Sequence, residues 1–476
     1  MTKRDFDAVI VGSGPNGFAA AITLQQLGLS TLLLEAKATV GGGMRSAELT
    51  LPGFIHDVCA AIHPMAAGSP FFSRLPLHEF GLTFIEPTIA AAHPFDNGKA
   101  AVLHHSIQKT IDGLGIDGSA YEKLVMPFYK NWDKILPFVL GPLTFPAHPF
   151  IMAGFGLKAL QPAAILAKTF KTEAVRGLFA GMAAHSMLPF SKAATSAIAL
   201  VLMMAAHHKG WPLVKGGSQQ LANALAACYI SLGGKIETGV NVTSLQQLPS
   251  SHAVLFDVSP GQLLQIAGHR FSALYEKQLM HYKYGMGVYK IDFALSEPIP
   301  FTAPECRQAG TVHIGNSIKE IALSEALAWN GKHADKPFVL LAQQSLFDAL
   351  RAPQGKHTAW AYCHVPNGSA KNMTGIIEQQ IERFAPGFRD CILAKHEMNA
   401  AAMQAYNANY IGGDINGGAP LLRQLFTRPA LRWAPYKTAA KGLYICSAST
   451  PPGGGVHGMC GYHAARQAMK DVFKQA

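Results

Sequence analysis

The stretch Asp7-Ala-Val-Ile-Val-Gly-Ser-Gly-Pro-Asn-Gly17 decides how the rest of the chain is read. Ala8 to Val11 is a short apolar run that predicts a buried strand. Gly12, Gly14 and Gly17 complete a G-x-G-x-x-G pattern, and Phe18-Ala-Ala-Ala-Ile-Thr-Leu24 predicts a helix. Thr31-Leu-Leu-Leu-Glu35 predicts a second strand that ends on an acid. Each part has a job at a dinucleotide. Gly12 allows the tight turn, Gly14 lets backbone approach a pyrophosphate, and Gly17 lets helix and strand pack closely. The helix N-terminus faces the phosphates, and Glu35 can bond a ribose hydroxyl. A lone glycine pattern is weak, because a turn that merely packs has the same spelling. Here strand, helix, second strand and acid all stand in the required order.

Outward from that unit, 476 residues leave room for roughly three domain-sized units. Hydrophobic residues make up 49% and charged residues 14%, so a large core is available and the surface is sparsely charged. The formal net charge of +11 favours anionic partners: a pyrophosphate, acidic lipid headgroups or nucleic acid. No run of Lys/Arg interleaved with aromatics occurs, which argues against nucleic acid. The seven cysteines are scattered, with no C-x-x-C, which argues against a disulfide framework, a zinc ribbon or a redox dithiol and fits a reducing compartment. The apolar N-terminus lacks a small-residue cleavage site and reads as a strand rather than a signal peptide. The uncharged run Ala193–Ala206 is too short to span a bilayer. The expected location is cytoplasmic, with the periphery of a membrane as the alternative.

After Glu35, Val40-Gly-Gly-Gly-Met-Arg-Ser46 again brings backbone close to a ligand, with Arg45 placed to meet phosphate or sugar. His56 and His63 follow, but spacing alone does not make a metal site, and no metal is expected. From about Leu75 to His207 the chain reads as proline-broken helices. Gly154-Phe-Gly-Leu-Lys-Ala159 repeats the glycine spacing without a preceding strand or a following acid, so it is a decoy. Lys158, Lys168 and Lys171 flank apolar helical sequence between Phe150 and Phe170. That segment reads either as a packed lid or as an interfacial amphipathic surface.

Regular α/β pattern returns at Trp211. Ser218 is a candidate N-cap for a helix carrying Leu221, Leu225, Cys228 and Leu232 on one face. Strands are expected at Lys235–Val242 and Ala253–Phe256. From Tyr284 the pattern is antiparallel: Val288–Leu295, Phe338–Ala342 and Thr358–Val365, then an amphipathic helix through Met373–Phe384, giving a sheet with helices on one face. Lys290 and Asp292 share a strand face and read as a surface ion pair or an active-site pair. Gly442–Cys446 is a final strand, Ser447–Gly458 a glycine-dense loop, and Met459–Lys474 a last helix. That strand, loop and helix would close the sheet begun at residue 7 and turn a second positive helix end toward the cofactor.

The first and last motifs together resemble the FAD-dependent amine oxidase and phytoene desaturase superfamily. Tyr284-Gly-Met-Gly-Val-Tyr-Lys-Ile-Asp-Phe-Ala-Leu295, Gly412-Gly-Asp-Ile-Asn-Gly-Gly418 and Ser449-Thr-Pro-Pro-Gly-Gly-Gly-Val-His-Gly-Met-Cys-Gly-Tyr-His-Ala-Ala-Arg466 are similar to the phytoene dehydrogenase-related branch, which includes animal pyridine nucleotide-disulfide oxidoreductase domain-containing proteins. The resemblance implies FAD. It places Gly12, Ser13, Gly14, Pro15, Asn16, Gly17, Glu35 and Ala36 on the ADP moiety. Gly42, Gly43, Met44 and Arg45 would lie along the pyrophosphate and ribityl chain, and Val242 would meet the adenine through its backbone. Ser447, Gly455, Val456, His457, Gly458 and Met459 would lie at the flavin. Many relatives follow the paired glycine directly with Arg, whereas here Met44 intervenes, which shifts Arg45 by one place.

The implied fold is α/β. An FAD-binding Rossmann-like domain is drawn from residues 1–75, 208–276 and 430–476. A helical insertion at 76–207 serves as lid or membrane-facing element, and a sheet-based α+β substrate domain spans 277–429. The leading functional expectation is an FAD oxidoreductase acting on a carbon–carbon bond of a long apolar, carotenoid- or lipid-like substrate, by desaturation, saturation or isomerisation. His457 is the one candidate catalytic residue. Two alternatives stand beside it: an amine oxidase-type enzyme on a more polar substrate, and a flavin-bearing interaction protein with little turnover. Lacking a second dinucleotide motif, the chain would pass electrons to oxygen, a quinone or another acceptor, or return them to the substrate. Oligomeric state is not legible.

Overall fold

The structure, a computed structural model, describes residues 4–473. Its first sheet is parallel throughout. Strand β1 (Phe6–Val11) lies between β2 (Thr31–Glu35) and the Ser251–Phe256 strand, with Lys235–Thr238 outside β2 and Leu443–Ile445 outside Ser251–Phe256. In chain order this is 3-2-1-4-5, and the order reverses between β1 and Ser251–Phe256. Ligands of open parallel sheets bind at such a reversal, outside the carboxyl ends of the strands. The three central strands carry unbroken apolar runs because both faces are covered, whereas the outer strand Lys235–Thr238 is polar and largely exposed. Ala8, Ile10 and Leu33 pack toward helix α1 (Pro15–Gln26), the Gln219–Ser231 helix and the final helix, Met459–Ala468. Val9, Val11, Leu32 and Leu34 pack on the opposite face with Leu263 and Ile266 of the Pro260–Ala267 helix.

The second sheet is seven-stranded, in the order Ile392–Met398, Gly287–Leu295, His357–Val365, Val339–Ala342, Ala309–Ile314, Ile89–Pro94, Ala100–Leu103. Its pairings are antiparallel except Ala309–Ile314 with Ile89–Pro94, so the sheet is mixed. Two expectations are corrected here. The 76–207 segment is not wholly helical, because it contributes Ile89–Pro94 and Ala100–Leu103 to this sheet. Ile89-Ala-Ala-Ala-His-Pro is buried along its whole length, so no polar alternation marks it as a strand. The sheet is also covered on both faces, not one. Val339, Leu341, Ala361 and Cys363 pack toward the Thr374–Phe384 helix. Leu340, Trp360 and Tyr362 face the other way, in one core with the helices Glu173–Ala184 and Thr195–Lys209.

Two-sided burial also overturns the surface reading of Lys290 and Asp292. The Gly287–Leu295 strand has a neighbour on each side, and both residues are buried. Their ion pair is shared with His56 and His396, whose Nδ1 atoms each lie 3.7 Å from the Asp292 carboxylate. The glycine decoy at Gly154 sits inside the Pro149–Ala159 helix.

Candidate cofactor and substrate site

One cavity of about 650 Å³ opens at the strand-order reversal and continues between the two sheets. Its first half is the glycine unit. Gly12 turns at φ 102°, a left-handed angle that favours glycine. A Cβ on Gly42 would meet Gly14 Cα at 2.9 Å, so the two glycine loops touch backbone to backbone. Gly12, Ser13, Gly14, Pro15 and Asn16 line this half, together with Glu35, Ala36, Gly42, Gly43, Arg45 and Val242. Gly17 does not. It lies beneath the loop, where any Cβ would collide with the Gly12 carbonyl. No side chain caps α1, and the buried Asn16 Oδ1 at its start has no protein partner. An open helix end is the setting a phosphate-bearing ligand completes, and the Asn16 oxygen, an acceptor, calls for a ligand hydroxyl or N–H beside it.

Glu35 is held from three sides. Ser13 donates to Oε2 through both N–H and hydroxyl, Lys37 N–H donates to Oε1 at 2.9 Å, and Arg45 Nη2 reaches Oε1 at 2.9 Å. Arg45 is otherwise spent on the Thr39 and Gly42 carbonyls. Its first task is therefore to orient the acid, rather than to stand free for phosphate. The short 3₁₀ turn Gly42–Met44 resolves the extra residue: Met44 turns fully into the core, and Arg45 emerges toward Glu35. Met44 is thus a packing residue, and its placement on the cofactor is corrected.

At the far end of the first half, Ser447, Gly455 and Val456 reach the cavity wall, whereas His457, Gly458 and Met459 do not. His457 is buried, and its Nδ1 accepts the Met459 N–H at 3.0 Å, capping the last helix. Burial lowers its pKa to about 4. The ring is spent on holding the loop, so the catalytic expectation for His457 is corrected to a capping role. Ser218 shows the converse. It stands at the N-cap position, but its hydroxyl donates to Ala60 O and pairs with His63.

Two contributors were missed. Asp257 follows the Ser251–Phe256 strand at the reversal point, and its Oδ2 accepts the Gly17 N–H at 2.9 Å. A Cβ on Gly14 would sit 2.6 Å from the same oxygen. Burial raises its pKa to about 7, against the Gly17 hydrogen bond and with help from the Glu35 charge. The second is Tyr406-Asn-Ala-Asn-Tyr410, from the other half of the molecule, which closes over the glycine loops. Tyr406 OH donates to Gly42 O, and Asn409 bridges Asp257 O and Ser259 N–H. Its alternation of amides and phenols is the only local signal it carries.

Asp257 gives a pH prediction. Its folded pKa lies above the ordinary carboxylate value of 3.8, so the folded state binds the proton more tightly, and stability is lost as pH rises from about 4 to about 7. Asp257→Asn abolishes that slope. The variant is expected to be the more heat-stable protein at pH 8, by up to about 4 kcal/mol, with the difference closing toward pH 4. Thermal unfolding across that range checks it, and parallel profiles for the two proteins would contradict it.

The second half of the cavity has a different wall. Ile62, Met187, Leu202, Trp211, Leu340, Trp360 and Tyr362 supply it. Its histidines are His63, lowered to about 4 by burial, and His185, lowered to about 3 by burial and the nearby His364. His185 Nε2 lies 3.0 Å from Nε2 of the fully buried His313, so one ring donates and the other accepts. The acids on the cavity wall, Glu35 and Asp257, both belong to the first half.

Comparison with known proteins agrees with this geometry. The NAD(P)-binding Rossmann-like domain family matches residues 10–75. Over 99% of its length the chain is 23% identical to pyridine nucleotide-disulfide oxidoreductase domain-containing protein 2 of Mus musculus, covering 94% of that protein. It is 22% identical to a lycopene-forming phytoene desaturase of a Paracoccus species, over 95% of each chain. Among solved structures, a putrescine oxidase superposes with a TM-score of 0.63 at 15% identity, over 99% of both chains, which shows the shared fold. The chain is an oxidoreductase similar over nearly its whole length to the pyridine nucleotide-disulfide oxidoreductase domain-containing proteins and the phytoene desaturases, and it shares the fold of the amine oxidases.

Proposed function

We propose that this oxidoreductase binds FAD in the cavity and acts on a carbon–carbon bond of an apolar, carotenoid- or lipid-like substrate. The glycine loops, the open α1 end, the orphaned Asn16 Oδ1 and the clamped Glu35 fit the ADP part. Ser447, Gly455 and Val456 sit where the chain can meet the flavin. Bound FAD supplies two-electron hydride chemistry, while the protein supplies orientation and a dry chamber.

The observation that carries the substrate class is the uncharged second half of the cavity. Its wall is aliphatic and aromatic, its two histidines are neutral at pH 7, and no acid faces it among the described residues. A cationic amine would enter such a chamber at the cost of desolvation without a counter-charge. An apolar chain would enter it by the hydrophobic effect. Trp211, Trp360 and Tyr362 give flat faces on which a conjugated or branched chain can lie. The polar points of the wall are His63, Thr311 and His185, the last with its Nε2 held by His313 behind it.

Anaerobic mixing of the holoenzyme with carotenoids, retinoids, fatty acyl compounds, small amines and NADPH, followed by flavin absorbance, tests this reading. Bleaching by an apolar class is the expected result. Bleaching by amines alone would replace the substrate class. Full FAD occupancy with no bleaching, no isomerised product and a stable partner in pull-downs would leave a flavin-bearing interaction protein.

A further inference from the structure

We propose that the surface built by residues 143–171 is a membrane-binding face that lays the Pro149–Ala159 helix and the turn after it in the headgroup region of an anionic bilayer. Sequence leaves this segment between packed lid and interfacial surface, and burial separates the two. Met152, Phe155 and Ala159 point inward, against the Thr195–Lys209 helix. Phe145, Phe150 and Leu157 point outward and are 87%, 91% and 72% exposed, with Leu160 and Ile165 beside them. The helix is thus pinned from beneath while its outer side presents large apolar groups to solvent. A concentration of that kind marks an interaction surface.

Charge selects the partner. No aspartate or glutamate occurs between Asp133 and Glu173, while Lys158, Lys168 and Lys171 are all exposed on or next to this face. Apolar tips rimmed by lysine without acids match acidic lipid headgroups over an acyl layer. Trp433 adds a fully exposed indole. Tyr436, three residues on, stacks on His463, and His463 hydrogen bonds Leu140 O at 3.2 Å, which ties the loop carrying Trp433 to the chain just before the same segment. Tryptophan is enriched at the headgroup level.

The geometry is that of lying on a membrane. No single helix among the described residues is long and apolar enough to cross one, and the pair Pro149–Ala159 and Ala163–Thr169 meets at 91°. Eleven helical residues span roughly 16 Å, about half the hydrocarbon core. The Thr195–Lys209 helix beneath the face carries Leu202 to the cavity wall, so a bilayer-dissolved substrate would enter beside its chamber. The binding face itself does not depend on the substrate reading.

The test is flotation of the holoprotein with vesicles of phosphatidylcholine and phosphatidylglycerol, two to one, against phosphatidylcholine alone. Wild type is expected to float with the anionic vesicles at low salt and to partition roughly tenfold less into neutral ones. F145S/F150S/L157S is expected to lose at least about tenfold in partitioning, and K158E/K168E/K171E to lose the preference for anionic lipid, both retaining FAD because all six side chains are exposed. Wild-type protein that stays at the bottom of the gradient overturns the proposal, as does F145S/F150S/L157S floating like wild type. A wild-type dimer that the same apolar variant dissociates, with no flotation, would assign the face to a second copy of the chain and also overturn it.

Discussion

Gly461→Ala is expected to empty the cofactor site although Gly461 is not part of its wall. Gly461 lies in the first turn of the Met459–Ala468 helix, where that helix crosses α1. A Cβ there would fall inside the Asn16 carbonyl and 2.9 Å from Ala20 N, so it would meet backbone on a neighbouring helix rather than a side chain that can swing away. Both helices are lined with alanine at this crossing, and Ala19, Ala20, Ala464 and Ala465 are wholly buried. Relief requires the helices to part. Overpacking typically costs about 1–3 kcal/mol, and a backbone-to-backbone collision belongs at or above the top of that range. The loss would show as a fall in Tm of roughly 3 °C or more. Parting also moves Asn16 and the start of α1, which face the pyrophosphate end of the cavity, so purified variant should carry little FAD. Gly154→Ala is the internal control. It is also a helical glycine, but its Cβ would meet nothing within 4 Å, so stability should hold or rise by about 1 kcal/mol. Calorimetry and flavin content measured side by side check the pair. A Gly461→Ala protein with wild-type Tm and full FAD would show that the crossing tolerates a methyl group.

The second large effect concerns a charge cluster that joins the two halves. Arg351 is completely buried, with Nε on Asp348, Nη1 on Asp57 at 2.9 Å and Nη2 on Val214 O at 3.0 Å. Asp57 also takes the Ser218 N–H and the Ser46 hydroxyl, each at 2.7 Å, and Asp348 takes the Gly216 N–H at 2.7 Å. These bonds fix the turn from Val214 to Ser218 that leads into the Gln219–Ser231 helix and tie it to Ser46 and Asp57. Burial pushes the Asp57 pKa up, but Arg351 and the Ser218 and Ser46 hydrogen bonds more than offset it and hold the carboxyl below its ordinary value. A depressed carboxylate stabilises the fold above pH 4 and loses that contribution as pH falls through the folded value. Arg351→Met leaves Asp57 and Asp348 buried without their cation, at a cost of about 3–5 kcal/mol at pH 7. With the cation gone, burial raises the Asp57 pKa, so the deficit should shrink as the variant is taken toward pH 4. Asp57→Asn in the same background should recover part of it. Urea unfolding at pH 7 and pH 5 measures both. Equal stability of variant and wild type at pH 7 would contradict the role given to the cluster.

The elements read most closely from sequence are those with local causes. Thr31–Glu35 is a strand over those same residues, and the turn before α1 follows from glycines five residues apart. The second sheet was harder. Ile89–Pro94 hides in an alanine run, and Lys290 and Asp292 look like a wet strand face because alternation shows which side a residue is on, not whether that side meets water. The site departs from the sequence reading wherever partners are distant along the chain. Asp257 sits 240 positions from the Gly17 N–H it accepts. Arg45 looks like a phosphate ligand until Glu35 is seen within its reach, and His457 looks catalytic until the Met459 N–H is seen to occupy its ring nitrogen. Pattern gave the glycine loops their place, and only the folded chain shows which polar side chains are already spent.

The proposed function requires one cavity that holds FAD against the glycine loops, with an uncharged chamber beyond it. Its most direct test is the visible spectrum of freshly purified protein, with mass spectrometry of the chromophore released on denaturation, for wild type and Gly14→Val. One FAD per wild-type chain, and none on a folded Gly14→Val chain, is the predicted result. Folded wild-type protein that carries no flavin and takes up none on reconstitution, or that releases a nicotinamide dinucleotide instead, would contradict it.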